Sequence, residues 1–173
     1  TILNILAAML GIVGISMLIP TIIAYFNSEP NIRGYVLSIV ICLSLSIPIW
    51  LITRKSRKLT SKDGFALVTF AWLIVAFAGS LPFYLTESIP NFTDAWFESM
   101  SGVTTTGATI IGNTQTLPNL LNGIESLPKG ILFWRSFLQW IGGMGIILFT
   151  IAILPLLGVG GVQLFKAEVP CLL

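Results

Sequence analysis

The sequence predicts an all-α integral membrane protein, and three observations predict it. Of 173 residues, 55% are hydrophobic and only 9% charged, where an ordinary soluble domain carries roughly 25% charged residues. So few charges cannot cover a water-facing surface of this size. Four long apolar segments, residues 2–26, 34–53, 64–86 and 130–157, contain between them a single charged side chain, Arg135. Finally, five of the nine basic residues, Arg54, Lys55, Arg57, Lys58 and Lys62, crowd into the one connection between the second and third segments.

Each segment can cross a hydrocarbon core about 30 Å thick as a helix rising ~1.5 Å per residue. Lipid offers an open backbone no hydrogen-bond partners, so helix is the form expected of all four. The first two, with the basic connection, make a two-helix membrane hairpin over residues 1–63. Residues 2–26 lack a basic leader and a small-residue cleavage site, so they read as a retained span. Thr1 is not an initiator Met, and the chain reads as a fragment or processed product.

Orientation follows from the loops. The basic cluster marks its side as cytoplasmic, while residues 85–129 carry Glu87, Asp94, Glu98 and Glu125 against Lys129 and face out. Four crossings then leave both termini in the cytoplasm, with residues 158–173 as a short tail.

Residues 64–157 form the second unit: a span (64–86), a short re-entrant helix (92–102), an irregular strip (103–110) and a closing span (130–157). The connection between its two spans is too long for a simple interhelical turn. Within it, Asn91 or Thr93 can cap a helix, Asp94 suits its first turn, and Phe92, Trp96, Phe97 and Met100 recur at helical spacing. Such a helix reaches about half way through the bilayer. The following Thr104, Thr105, Thr106, Gly107, Ala108 and Thr109 are poor helix material and poor lipid-facing backbone, so they should line an enclosed aqueous path.

That strip has the chemistry to hold a dehydrated alkali cation. Backbone carbonyls supply several oxygens at fixed radius without an anionic charge that would trap the ion, and Thr hydroxyls add more. Gly107 allows a backbone conformation that a Cβ would hinder. The C-terminus of the short helix aims partial negative charge at the same place.

Other chemistries find little support. The chain has no His, so no His-based triad, general base or His-ligated metal is available. Cys42 and Cys171 form no CxxC pair, and a net charge of +2 gives no case for nucleic acid. Gly158, Gly160 and Gly161 follow a helix rather than a strand and do not read as a nucleotide loop. No span carries paired carboxylates, and no enzyme activity or cofactor is expected. Glu98 either helps the outer mouth or pairs with a cation, for which Arg135 is the obvious partner, with Asp94 the other acid within reach of Arg135. Gly142, Gly143 and Gly145 in the last span provide either a hinge or close helix packing.

Thr105-Thr106-Gly107-Ala108-Thr109 occupies the place of the TVGYG strip of potassium channels, with Ala and Thr where those have Tyr and Gly. Together with DAWFESMSG at 94–102 and FWRSFLQWIGGMG at 133–145, it resembles the Trk/Ktr family of potassium uptake proteins, most closely the TrkH type. The resemblance implies a helix, pore helix, filter loop and helix repeat of the potassium-channel type, with residues 1–63 matching an extra pair of helices. It implies a multi-pass subunit of the bacterial inner membrane, with potassium as the transported ligand held at Thr105, Thr106 and Gly107. It also implies partners: membrane lipid, the remaining pore repeats of a four-repeat chain, a second copy in a homodimer, and a cytosolic nucleotide-binding regulatory subunit. This sequence carries one repeat, so a non-conducting membrane fragment with an assembly role is the alternative expectation.

Overall fold

The computed structural model describes residues 2–53, 61–111, 124 and 127–156. The cluster from Arg54 to Lys58 and the tail at 158–173, with Cys171, lie outside the described residues. Six helices follow in order among the described residues: α1 Ile2–Ser16, α2 Leu18–Phe26, α3 Ile32–Ile52, α4 Ser61–Leu85, α5 Phe92–Val103 and α6 Lys129–Leu156. Three spans among the described residues are long and apolar enough to cross a membrane: Ile2–Phe26, Ile32–Ile52 and Ala66–Leu85.

The segment expected as one first span is divided at Met17 into α1 and α2. Pro20 is the cause. It has no N–H to offer the carbonyl of Ser16, and its ring crowds that turn. The join is held by Met17 N–H donating to Val13 O at 3.3 Å and by the Thr21 hydroxyl donating to Met17 O at 2.7 Å. Pro48 and Pro82, by contrast, sit inside the continuous helices α3 and α4.

Helix α1 lies along α3, with the Ser46 hydroxyl donating to Ala7 O at 2.6 Å and Asn4 Nδ2 donating to Trp50 O at 3.0 Å. Small residues and single polar contacts of this sort let apolar helices approach where the hydrophobic effect drives little association. Helix α4 packs on α1, α3 and α5, and α5 in turn on α6. The shared core gathers Met17, Tyr35, Phe83, Ile89, Ile131, Trp134 and Leu138, all 0–1% exposed.

One end of the bundle is tied by the turn between α2 and α3. Asn31 Nδ2 donates to Thr86 O at 2.7 Å, just past the end of α4. Glu29 Oε1 accepts from Gly130 N–H at 2.9 Å, and Glu29 Oε2 accepts from the buried Tyr35 hydroxyl at 3.2 Å. Glu29 thus serves as an anionic cap on the first turn of α6, where the helix leaves N–H groups unpaired. The turn between α2 and α3 is thus fastened to the ends of α4 and α6, at the end of the bundle where α5 begins.

Candidate functional site

Helix α5 begins at that end and runs back towards the middle of the bundle. Asn91 caps it, Oδ1 accepting from Thr93 N–H at 3.0 Å, and Asp94 sits in its first turn. Its 12 residues span about 18 Å at the usual helical rise, well short of a full crossing. Phe92 meets Phe77 and Tyr84 of α4 edge to face, with centroids 5.9 and 5.7 Å apart. The buried Ser99 hydroxyl donates to Ala76 O at 2.7 Å. Behind both helices, Trp134 Nε1 of α6 donates to Gly79 O at 2.9 Å.

The C-terminus of α5 is pressed against α6 at Gly142. A Cβ there would stand 1.8 Å from Val103 O, so this glycine is required by the backbone of the short helix lying directly on it. A Cβ added at Gly143 would meet the Thr105 methyl at 3.9 Å, an ordinary contact, and one at Gly145 would meet nothing within 4 Å. Helix α6 is continuous through all three.

Beyond Val103 the chain turns out of the helix. Thr106 N–H donates to Ser101 O at 3.1 Å and Thr105 N–H to Gly102 O at 3.0 Å. This paired pattern is a Schellman cap, which needs a left-handed residue at Thr105. Thr105 has φ +58°, a conformation that costs a residue with a Cβ about 1–2 kcal/mol. Gly107 has φ +75°. Left-handed residues thus stand at 105 and 107, on either side of Thr106. The carbonyls of Thr104, Thr105, Thr106 and Gly107 accept no hydrogen bond from the described residues, and the strip is largely exposed.

The side chains of the strip are organised as well. The Thr104 hydroxyl donates to Met100 O at 2.8 Å and lies 2.9 Å from the Thr106 hydroxyl. Since the one Thr104 proton is spent on Met100, Thr106 is the donor in that pair, and its own lone pairs are left available. Ala108 differs from its neighbours: its carbonyl accepts from the Ser101 hydroxyl at 2.6 Å. Thr109 turns its hydroxyl to both oxygens of Glu98, at 3.0 and 3.1 Å.

Glu98 gathers this end of the strip. Besides Thr109 it accepts from Ile110 N–H at 3.3 Å, and Arg135 Nε of α6 donates to its Oε1. The Glu98 side chain is 1% exposed and that of Arg135 21%. A carboxylate so buried needs both a counter-ion and donors for its remaining lone pairs, and it has them. Of the residues singled out from sequence, the structure brings Glu98, Arg135 and Thr109 into one network and places Asp94 outside it. Outside that network it gives Ser101, Ser99 and Glu29 contacts that the sequence alone does not single out. The sequence places Ser101 on the same face of α5 as Glu98, three residues on, but carries no signal for the group its hydroxyl meets.

Long apolar helices with a half-length helix set between two of them, and no strand among the described residues, define the class as an all-helical membrane protein. The family model described as "TrkH: Cation transport protein" matches residues 27–171, and the chain belongs to that family. It is 41% identical over 173 residues to the Trk system potassium uptake protein TrkH of Vibrio parahaemolyticus, covering 98% of this chain and 33% of that protein. It is 44% identical over 158 residues to the TrkH protein of Escherichia coli, covering 90% of this chain and 30% of the relative. The crystal structure of the potassium transporter TrkH from Vibrio parahaemolyticus superposes with a TM-score of 0.79 at 40% identity, over 92% of this chain and 32% of that one. The chain thus spans about a third of the length of the curated relatives it matches.

Proposed function

We propose that this chain supplies one segment of the selectivity filter of a Trk-type potassium uptake system in the bacterial inner membrane. The observation that carries the reading is the row of four carbonyls, at Thr104, Thr105, Thr106 and Gly107, which accept no hydrogen bond from the described residues, at the C-terminal end of a half-length helix. Such oxygens replace the water around a dehydrated cation without a formal charge that would hold it. The helix end adds partial negative charge. Glu98 and Arg135 hold the far end of the strip, so its oxygens are positioned before the ion arrives.

One strip forms one wall of a path. A closed ring of oxygens needs further strips, which the remaining repeats of a relative-length chain would supply. A second copy and a cytosolic nucleotide-binding regulatory subunit complete the proposed assembly. The basic cluster at 54–62 faces the cytoplasm in this arrangement, as do both termini.

The test is potassium and sodium uptake by a chain of the relatives' full length carrying this sequence, in a host without potassium uptake of its own. Potassium should be strongly preferred, and Gly107→Ser should reduce the preference at matched membrane levels. A parental ratio in Gly107→Ser would remove the strip as the selectivity element. The 173 residues alone, in liposomes, should give no potassium-selective flux.

A further inference from the structure

We propose that Ser101 is a specificity-determining positioning residue: its hydroxyl latches the Ala108 carbonyl back against α5 and so fixes which oxygens the strip offers to a cation. The proposal rests on the reading of residues 104–108 as a filter segment.

Ser101 is 6% exposed and is attached to the strip in two ways. Its backbone carbonyl accepts from Thr106 N–H at 3.1 Å and Gly107 N–H at 3.4 Å. Its side chain donates to Ala108 O at 2.6 Å. The first contact ends a helix and any residue could make it. The second needs a hydroxyl at this one position, and it acts on a carbonyl that would otherwise be free, since Ala108 itself is exposed.

The consequence is a defined edge to the row of oxygens. The carbonyls of Thr104, Thr105, Thr106 and Gly107 accept no hydrogen bond from the described residues, and the next carbonyl, that of Ala108, is held by Ser101. Gly107, with φ +75°, joins the two parts and can rotate at little cost. Without the latch, the peptide between Ala108 and Thr109 is free to swing its oxygen towards the path. A carbonyl that swings follows an ion of either radius, so it favours neither. The latch keeps the outermost oxygen from adapting to the smaller sodium ion.

The experiment compares Ser101→Ala, Ser101→Thr and Gly107→Ser in a relative-length chain carrying this sequence, reading the potassium-to-sodium uptake ratio at matched membrane levels. Ser101→Ala should lower the ratio roughly fivefold, the population ratio that one net hydrogen bond of ordinary strength controls. Ser101→Thr, which keeps the hydroxyl, should restore it. An unchanged ratio in Ser101→Ala, or an equal loss in the Ala and Thr variants, overturns the latch. Loss of all uptake in both overturns it too, the defect then being one of packing. If Gly107→Ser lowers the ratio while Ser101→Ala does not, only the latch fails. If neither lowers it, the filter reading itself fails.

Discussion

Arg135 Nε donates to Glu98 Oε1, joining the first half of α6 to the middle of α5 on the side from which Thr109 and Ile110 also donate. The carboxylate therefore belongs to three pieces of chain at once. Removing Arg135 leaves a charge buried among apolar helices with only neutral donors, and breaking such a pair costs about 3 kcal/mol. Arg135→Ala should lower thermal stability in detergent sharply, and Arg135→Ala with Glu98→Ala should cost less than the sum of the single changes. Additive losses would show that the two side chains are energetically independent.

Glu29 supports a second prediction. Its two oxygens serve Gly130 N–H and the buried Tyr35 hydroxyl. Glu29→Ala strands both donors, a cost of about 1–3 kcal/mol, whereas Glu29→Gln keeps an acceptor for one and a polar partner for the other. Thermal unfolding should separate the two variants clearly. Equal stability of both with the unmodified chain would mean that the tie between hairpin and α6 contributes nothing.

At Gly142 the demand is for space. A Cβ 1.8 Å from Val103 O cannot be accommodated by a side-chain rotation, because the obstacle is backbone. Gly142→Ala must push α5 and α6 apart, and overpacking of this sort costs about 3 kcal/mol or more. Gly145→Ala, in open space, should be near neutral. Matching stabilities for the two alanine variants would contradict the close approach.

Orientation can be checked without reference to the site. A Cys placed at Ser56 should react with an impermeant thiol reagent only from the cytoplasmic side, and one at Asn119 only from outside. Labelling in the opposite sense would invert the topology that the basic cluster implies.

Much of this architecture is legible in the sequence because lipid leaves few choices. A stretch without charge and long enough to cross has to be helical, and Asn91, Asp94 and the spacing of Phe92, Trp96 and Met100 mark a short helix locally. Glu98 and Arg135 point to each other for the same reason: two opposite charges in apolar surroundings are costly apart. The division at Met17 is less visible, since a proline near the end of a membrane helix is as often tolerated, as Pro48 and Pro82 are here. Three features could not be read at all. Glu29 reaches Gly130 across 101 residues, Ser101 meets a carbonyl rather than a side chain, and Thr105 takes a left-handed conformation that its own propensity opposes. Each depends on tertiary contacts, which override local preference.

That last conformation makes a prediction at the centre of the proposed function. Thr105 at φ +58° and Gly107 at φ +75° both occupy the left-handed region, yet only one is glycine. If the strip works through its backbone, glycine should be acceptable at both positions and a side chain costly at 107. Thr105→Gly relieves about 1–2 kcal/mol of left-handed strain, and the added freedom of the unfolded chain offsets about 0.5–1 kcal/mol of that gain. Stability should therefore stay nearly level, and the Thr105 carbonyl remains in place. Gly107→Ser has no compensating gain: the same 1–2 kcal/mol now favours turning the peptide out of the filter conformation. In a chain of the relatives' full length, Thr105→Gly should keep most of the potassium-to-sodium uptake ratio and Gly107→Ser should lose it. An equal loss in the two variants would mean that the Thr105 side chain, and not the direction of the backbone carbonyls, carries the selectivity.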